Sequence, residues 1–173
     1  MTEGKIHIYM GEGKGKTTAA VGLALRFAGS GGQVLFTQFL KNPDSGEIKV
    51  LQDTAGITFL PGPPISGFTW NMTESELGAL CRSYRDYLQA IRRQAGHAGL
   101  LVMDEALAAL QTGLIQEKIL LDLLDDLKKD TEIVLTGRRP SPALLERADY
   151  ITEMVKIRHP YDQGLPARRG IEY

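Results

Sequence analysis

The 173-residue chain reads as an α/β fold: a single domain, residues 1–173, with a mostly parallel central sheet flanked by helices. Three observations predict it. Short apolar runs alternate with longer segments of helical period, the pattern of successive βαβ units. The apolar runs show little polar alternation, as strands buried on both faces require. A glycine-rich stretch follows the first run and opens the first helical segment, where a parallel sheet gathers its function at a strand's carboxyl end.

The elements follow in order. Ile6–Met10 is a strand, and Lys16–Ala28 is a helix stopped by Gly29-Ser30-Gly31-Gly32. Gln33–Phe39 is a second buried strand, Asp44-Ser45-Gly46 a turn, Glu47–Gln52 a short helix and Ile57–Leu60 a short strand. Pro61-Gly62-Pro63-Pro64-Ile65-Ser66-Gly67 excludes regular structure. Thr73 and Glu76 have capping-box spacing, and the helix they start sets Leu77, Leu80, Tyr84, Leu88, Ile91 and Ala95 on one face. That face places Tyr84 in the core and leaves Tyr87 on the surface. Gly99–Met103 is a third core strand ending in Asp104-Glu105, Gln116–Lys129 an amphipathic helix and Glu132–Thr136 a further strand. Ser141-Pro142 starts a short helix through Arg147, with proline at its favoured first position, and Tyr150–Val155 is the last strand.

Composition narrows the function. With 43% hydrophobic and 24% charged residues the chain is globular, and a net charge of -1 without basic tracts argues against a dedicated nucleic-acid binder. The single Cys81 excludes an internal disulfide framework and a multi-cysteine metal site, and points to a cytoplasmic protein. No apolar run reaches the roughly 20 residues that span a bilayer, so no membrane partner is expected. His7, His97 and His159 are scattered without metal-ligand spacing, and His7 reads as a strand residue.

The chemistry is concentrated in Gly11-Glu12-Gly13-Lys14-Gly15-Lys16-Thr17-Thr18. Strand, glycine turn and a helix opening Gly-Lys-Thr make a phosphate-binding loop. Glycines let backbone N–H groups converge on an anion, the helix N-terminus adds partial positive charge, and Lys16 adds a full one. Thr17 places a hydroxyl where Mg²⁺ would sit. The loop makes the fold P-loop NTPase-like, of RecA-like type. It is one residue shorter than G-x-x-x-x-G-K-[ST], because the glycine expected five residues before Gly15 is displaced to Gly11 by Met10. A shorter loop cradles a triphosphate differently, which suggests chemistry other than γ-phosphoryl transfer.

Three further groups stand out. Leu100-Leu101-Val102-Met103-Asp104-Glu105 has the form of a Walker B segment, whose carboxylates hold Mg²⁺; Asp104 could instead cap a helix, and the upstream glycine loop favours the metal reading. Thr136-Gly137-Arg138-Arg139 follows a strand, so Arg138 could pair with phosphate oxygens, while Arg139 reads as a solvated loop charge. Gly67-Phe68-Thr69-Trp70 puts two aromatics after an irregular loop, to close over a planar ligand or to anchor the loop to the core.

The set resembles the P-loop type of ATP:corrinoid adenosyltransferase, the cob(I)alamin or cob(I)yrinic acid a,c-diamide adenosyltransferase of cobalamin biosynthesis and salvage. The likeness rests on the glycine loop, Gly-Phe-Thr-Trp, Met103-Asp104-Glu105 and Thr136-Gly137-Arg138. It extends through Ala148–Met154, Arg158-His159-Pro160-Tyr161, Gly164 and Arg169-Gly170-Ile171-Glu172-Tyr173. The resemblance implies that Co(I) of a reduced corrinoid attacks C5′ of ATP and expels triphosphate, with the nucleotide held in the reverse sense to other P-loop enzymes. It implies nucleotide contacts from Gly11, Glu12, Gly13, Lys14, Gly15, Lys16, Thr17, Thr18 and Arg138, and Mg²⁺ (Mn²⁺ as an alternative) near Thr17, Glu105 and Asp104. Lys16, Glu105, Phe68 and Trp70 would be the catalytic residues, the two aromatics lying against the lower face of the corrin. A reduced flavoprotein or flavin as electron donor and a homodimer are further implications. Few residues precede the first strand, so an N-terminal lid helix of some relatives is expected to be missing or very short. The rival readings are a P-loop ATPase or small-molecule kinase, which would want the longer loop, and a non-catalytic nucleotide-binding regulator, which would not need Phe68 and Trp70.

Overall fold

The protein's structure, a computed structural model, describes residues 3–41, 45–65, 67 and 71–172. Its elements are β1 (Ile6–Met10), α1 (Lys16–Gly29), β2 (Val34–Gln38), α2 (Gly46–Asp53), β3 (Ile57–Leu60), α3 (Glu74–Ala95), β4 (Leu100–Asp104), α4 (Ala106–Gln111), α5 (Glu117–Leu127), β5 (Glu132–Thr136), α6 (Pro142–Arg147) and β6 (Tyr150–Glu153). A 3₁₀ turn spans Pro160–Gln163. The expected strands and helices are present within one or two residues at their ends, and α4 is a further helix beyond those expected.

The six strands form one sheet in the order β3-β2-β4-β5-β1-β6, and every pairing is parallel. Val34, Leu35, Phe36, Thr37 and Gln38 pair in register with Leu100, Leu101, Val102, Met103 and Asp104. The period of two divides the core. Leu101, Met103, Ile133, Leu135, Ile6 and Ile8 pack with α3, α4 and α5 on one face. Leu100, Val102, Val134, Val34 and Phe36 meet Ala20 and Ala24 of α1 and Leu51 of α2 on the other. Alanines on the inner side of α1 let that helix lie close to the sheet, which sets its first turn against the strand ends.

Capping chemistry fixes where α3 begins. The Thr73 hydroxyl accepts the Glu76 N–H at 3.3 Å, and Glu76 accepts the Thr73 N–H at 2.8 Å, so two orphan donors are satisfied reciprocally. Two expectations are corrected. Tyr87 is 6% exposed, not a surface residue, because its hydroxyl reaches inward to donate to the Leu60 carbonyl at 2.8 Å. β6 is not apolar and buried on both faces: all four of its residues are exposed, and its main contact is with β1. Among the described residues no helix is long and apolar enough to cross a membrane.

Candidate functional site

Parallel strands bring their carboxyl ends to one edge of the sheet, and the site assembles there. The glycine loop leaves β1, Lys41 follows β2, Asp104 ends β4 with Glu105 next to it, and Thr136 ends β5. Asp104 is the hub. It is fully buried, and its Oδ1 accepts the Thr17 hydroxyl at 2.9 Å and the Thr136 hydroxyl at 2.7 Å. Its Oδ2 accepts the Lys41 ammonium at 2.7 Å. A buried carboxylate is tolerated only with such pairing. The alternative reading of Asp104 as a helix cap is thereby corrected, because its oxygens are committed to Thr17, Thr136 and Lys41, and Glu105 occupies the N-cap position of α4 without a side-chain cap bond.

The loop itself divides between structure and binding. Gly11 and Gly15 sit at φ 108° and 116°, a left-handed backbone suited to glycine. Gly11 N–H donates to the Arg138 carbonyl at 3.0 Å and Gly13 N–H to the Met154 carbonyl at 2.7 Å. These two amides tie the loop to the ends of β5 and β6 rather than pointing at an anion. A Cβ on Gly13 would stand 2.5 Å from the Met154 carbonyl oxygen, so close backbone approach explains that glycine. The amides at the start of α1 differ: the N-cap is Gly15, and among the described residues no side chain caps that turn. They are the orphan donors that an anion satisfies.

Lys16 lies over the loop, its ammonium donating to the carbonyls of Gly11 and Gly13, both at 2.8 Å. Two of its three protons are thus committed, and the geometry leaves one for a ligand. Burial pushes its pKa below the ordinary lysine value, with Glu105 opposing. Glu105 is shifted upward by burial first and by the Asp104 charge second. Its backbone is left-handed at φ 60°, ψ 19°, held by its N–H donating to the Thr136 hydroxyl at 2.9 Å. Leu40 is also left-handed, at φ 54°, and its N–H donates to the Tyr84 hydroxyl at 3.0 Å. These are the positive-φ residues other than glycine among the described residues, and they stand just beyond the ends of β2 and β4. Such conformations cost on the order of 1–3 kcal/mol each and persist where packing over-determines them.

Lys14, Lys16, Thr17, Thr18, Lys41 and Glu105 line one open groove, together with Gly15, Ile171 and Glu172. The groove runs on along Gly46, Glu47 and Gly170. Arg138 stands at the margin, 67% exposed at its side chain, 3.0 Å from Glu12, and Arg139 is 3.5 Å from the same carboxylate. Exposed pairs of this kind contribute about 0–1 kcal/mol, so both arginines are free to exchange Glu12 for a stronger anion. Phe68 and Trp70 lie outside the described residues.

Lys41 is absent from the site residues expected from sequence, and the tail at 170–172 carries the family resemblance there without a site role. Lys41 could have been found by the strand-end rule alone, as it stands three residues beyond β2. The tail carries no such signal: its place beside Lys14 and Lys16 follows from the chain's return path after β6. Arg168 and Glu172 close it with a guanidinium–carboxylate bond of 3.1 Å, which holds the Glu172 carboxyl below its ordinary range.

The donor set suits a hard divalent cation. A hydroxyl and two carboxylates supply oxygen, and the Thr17–Asp104 seat already attracts a positive charge, the Lys41 ammonium, 3.1 Å from the Thr17 oxygen. Among the described residues no cluster of three or more His, Cys, Asp or Glu could hold a metal by itself. Mg²⁺ fits this pattern, because it is held by one or two protein oxygens with substrate phosphates and water completing its shell.

Comparison with known proteins gives the family. The model of the ATP:corrinoid adenosyltransferase family BtuR/CobO/CobP matches residues 2–173. The corrinoid adenosyltransferase of Escherichia coli K12 is 30% identical over 173 residues, covering 98% of this chain and 86% of that protein. The corrinoid adenosyltransferase CobA of Salmonella typhimurium is 28% identical over 171 residues, with 98% and 86% covered. Among solved structures, the flagellar accessory protein FlaH of Methanocaldococcus jannaschii superposes with a TM-score of 0.58 at 12% identity, covering 88% of this chain and 72% of that one, a likeness of fold alone.

Proposed function

Since this chain belongs to the ATP:corrinoid adenosyltransferase family and transfers the adenosyl group of ATP to a corrinoid, we propose the following division of labour among its residues. Lys14, Lys16, Thr18 and the open amides of the first turn of α1 hold the triphosphate, which leaves with its full charge when Co(I) bonds to C5′ and the C5′–O bond breaks. The electron pair of Co(I) forms the new bond, and the pair of the broken bond departs on triphosphate. Arg138, released from Glu12, adds to the neutralisation of that charge. Thr17 and Asp104, with Glu105 beside them, hold Mg²⁺, or Mn²⁺ in its place. The bound ion supplies charge neutralisation on phosphate oxygens. Because the loop grips the departing group, no water need be aimed at a phosphorus atom, which suits a loop one residue short.

The observation that carries this reading is the convergence of Lys14, Lys16, Thr17 and Glu105 on one groove. Phe68 and Trp70 are assigned to the lower face of the corrin, where excluding the axial ligand makes Co(II) easier to reduce. Cob(I)alamin and cob(I)yrinic acid a,c-diamide are the candidate acceptors, a reduced flavoprotein or flavin the electron source, and a cytoplasmic homodimer the working form. The test mixes protein, ATP, Mg²⁺ and each corrinoid reduced chemically to Co(I), and follows the light-sensitive alkyl-cobalt product and the phosphate species. The expected result is alkyl-cobalt with intact triphosphate, lowered by Glu105→Gln. Orthophosphate released at the turnover rate would favour the ATPase alternative. Ala variants of Phe68 or Trp70 should fail mainly when the assay starts from Co(II) with a mild reductant; equal loss from Co(I) would make them corrin binders or loop anchors instead.

A further inference from the structure

We propose that Lys41 is a built-in counter-ion that holds the divalent-cation seat in the nucleotide-free protein, so that the metal enters only together with the triphosphate. The inference rests on the assignment of that seat to Thr17 and Asp104. Its geometry is specific. The Lys41 ammonium lies 2.7 Å from Asp104 Oδ2 and 3.1 Å from the Thr17 oxygen, the same two groups that would ligate the cation. Glu47 Oε1 stands 3.8 Å away on the outer side and itself accepts from Gln38 at 3.1 Å. An ammonium and a divalent ion cannot both occupy this space, because the ammonium already sits on the two oxygens that the ion would need.

The chain is shaped to deliver the ammonium there. Leu40 takes a left-handed backbone immediately before Lys41, and the buried Tyr84 of α3 holds that turn through the Leu40 N–H. Phe39 N–H donates to the Asp104 backbone carbonyl at 2.8 Å, which ties the same segment to the end of β4. A surface lysine that happened to reach a carboxylate would not need a conformation that few leucines adopt. Lys41 remains partly open to the groove, at 24% exposure of its side chain, so it has room to leave. When the metal arrives with its nucleotide, the displaced ammonium faces the groove lined by Lys14 and Lys16, where it adds a third positive charge against the triphosphate. Asp104 exchanges one cation for another and is never left buried and unpaired.

The experiment measures Mn²⁺ binding by electron paramagnetic resonance to the full chain, with and without ATP, and thermal unfolding in the same samples. Wild type should bind Mn²⁺ tightly only with ATP. Lys41→Gln should gain a nucleotide-independent site, at least about tenfold tighter than any in wild type, as expected when a competing occupant is removed. Mn²⁺ alone should raise its melting temperature, and Lys41→Arg should behave as wild type. Should the glutamine variant fail to fold, Lys41→Met is grown and refolded with Mn²⁺ present, and recovery of the folded protein by Mn²⁺ without ATP is the expected sign. Unchanged Mn²⁺ affinity in the folded variant, or no recovery of either variant by Mn²⁺, would overturn the proposal while leaving the metal assignment standing if wild type still binds Mn²⁺ with ATP. ATP-dependent Mn²⁺ binding that survives Thr17→Val undiminished would instead remove the metal assignment, and this inference with it.

Discussion

The Thr17 hydroxyl donates to Asp104 Oδ1 at 2.9 Å, joining the first turn of α1 to the end of β4. The two residues are 87 positions apart, and the bond is what makes a glycine loop and a strand-end carboxylate into one site. Thr136 donates to the same oxygen from β5, so three elements meet on a single buried atom. A site built this way is preorganised by the sheet, because the strand ends cannot move apart without breaking the parallel register.

Lys16→Ala should abolish adenosyl transfer and weaken ATP binding. A charge-assisted bond to phosphate is worth about 1.5–3 kcal/mol, roughly a 10- to 150-fold rise in Kd. Isothermal titration with ATP and the alkyl-cobalt assay check it. Near-normal turnover would show that the ammonium serves only the carbonyls of Gly11 and Gly13.

Gly13→Ala should destabilise the fold as well as the site. The new Cβ would overlap the Met154 carbonyl oxygen, at 2.5 Å, and the loss of its close approach pushes the end of β6 off the loop. Overpacking of this kind costs about 1–3 kcal/mol. Urea unfolding measures it, and an alanine variant of wild-type stability would mean that the chain after β6 yields freely.

Tyr84→Phe should cost about 1–3 kcal/mol, since the Leu40 N–H loses its acceptor at a half-buried position. Turnover should fall further than stability predicts, because Leu40 aims Lys41. Comparing kcat/KM with the unfolding midpoint separates the two effects. A loss of stability with unchanged kcat/KM would assign Tyr84 to packing alone.

Asp149→Asn should remove a pH-dependent clip between β1 and β6. The Ile6 N–H donated to Asp149 Oδ2 at 2.9 Å is the main cause holding that carboxyl below the ordinary aspartate range, with Lys128 and Lys5 adding to it. A depressed carboxyl means that the unfolded chain binds the proton more readily. Its contribution is therefore complete above the ordinary aspartate pKa and is lost as pH falls through the lowered value. The stability gap between wild type and variant should be constant near neutrality and close on acidification below about pH 4. A gap that stays open in acid would point to geometry rather than charge.

What the sequence by itself determined is what its neighbours along the chain decide. The strand–glycine–helix run from Ile6 to Gly29, the capping box of Thr73 and Glu76 and the strand-end placement of Asp104-Glu105 depend on residues a few positions apart, so periodicity and turn chemistry exposed them. The short loop and its accompanying motifs carried the family as well. Only the tertiary structure decided which groups face one another across the sheet. Strand order places β2 beside β4, and that adjacency, invisible in one dimension, sets Lys41 on Asp104. The run of α3 past β2 and β3 turns Tyr87 inward to the Leu60 carbonyl, against the surface place its helical period suggested. β6 lies at the sheet edge with β1 as its main contact, and Tyr150 and Ile151 stay exposed, whereas β4 is buried at the centre of the sheet. The amides of Gly11 and Gly13 go to Arg138 and Met154 because β5 and β6 flank β1 on its two sides. For Lys41, Tyr87 and the two glycine amides the physical reason is the same: buried polar and charged groups must find partners, and the topology of the sheet determines which partner comes within reach.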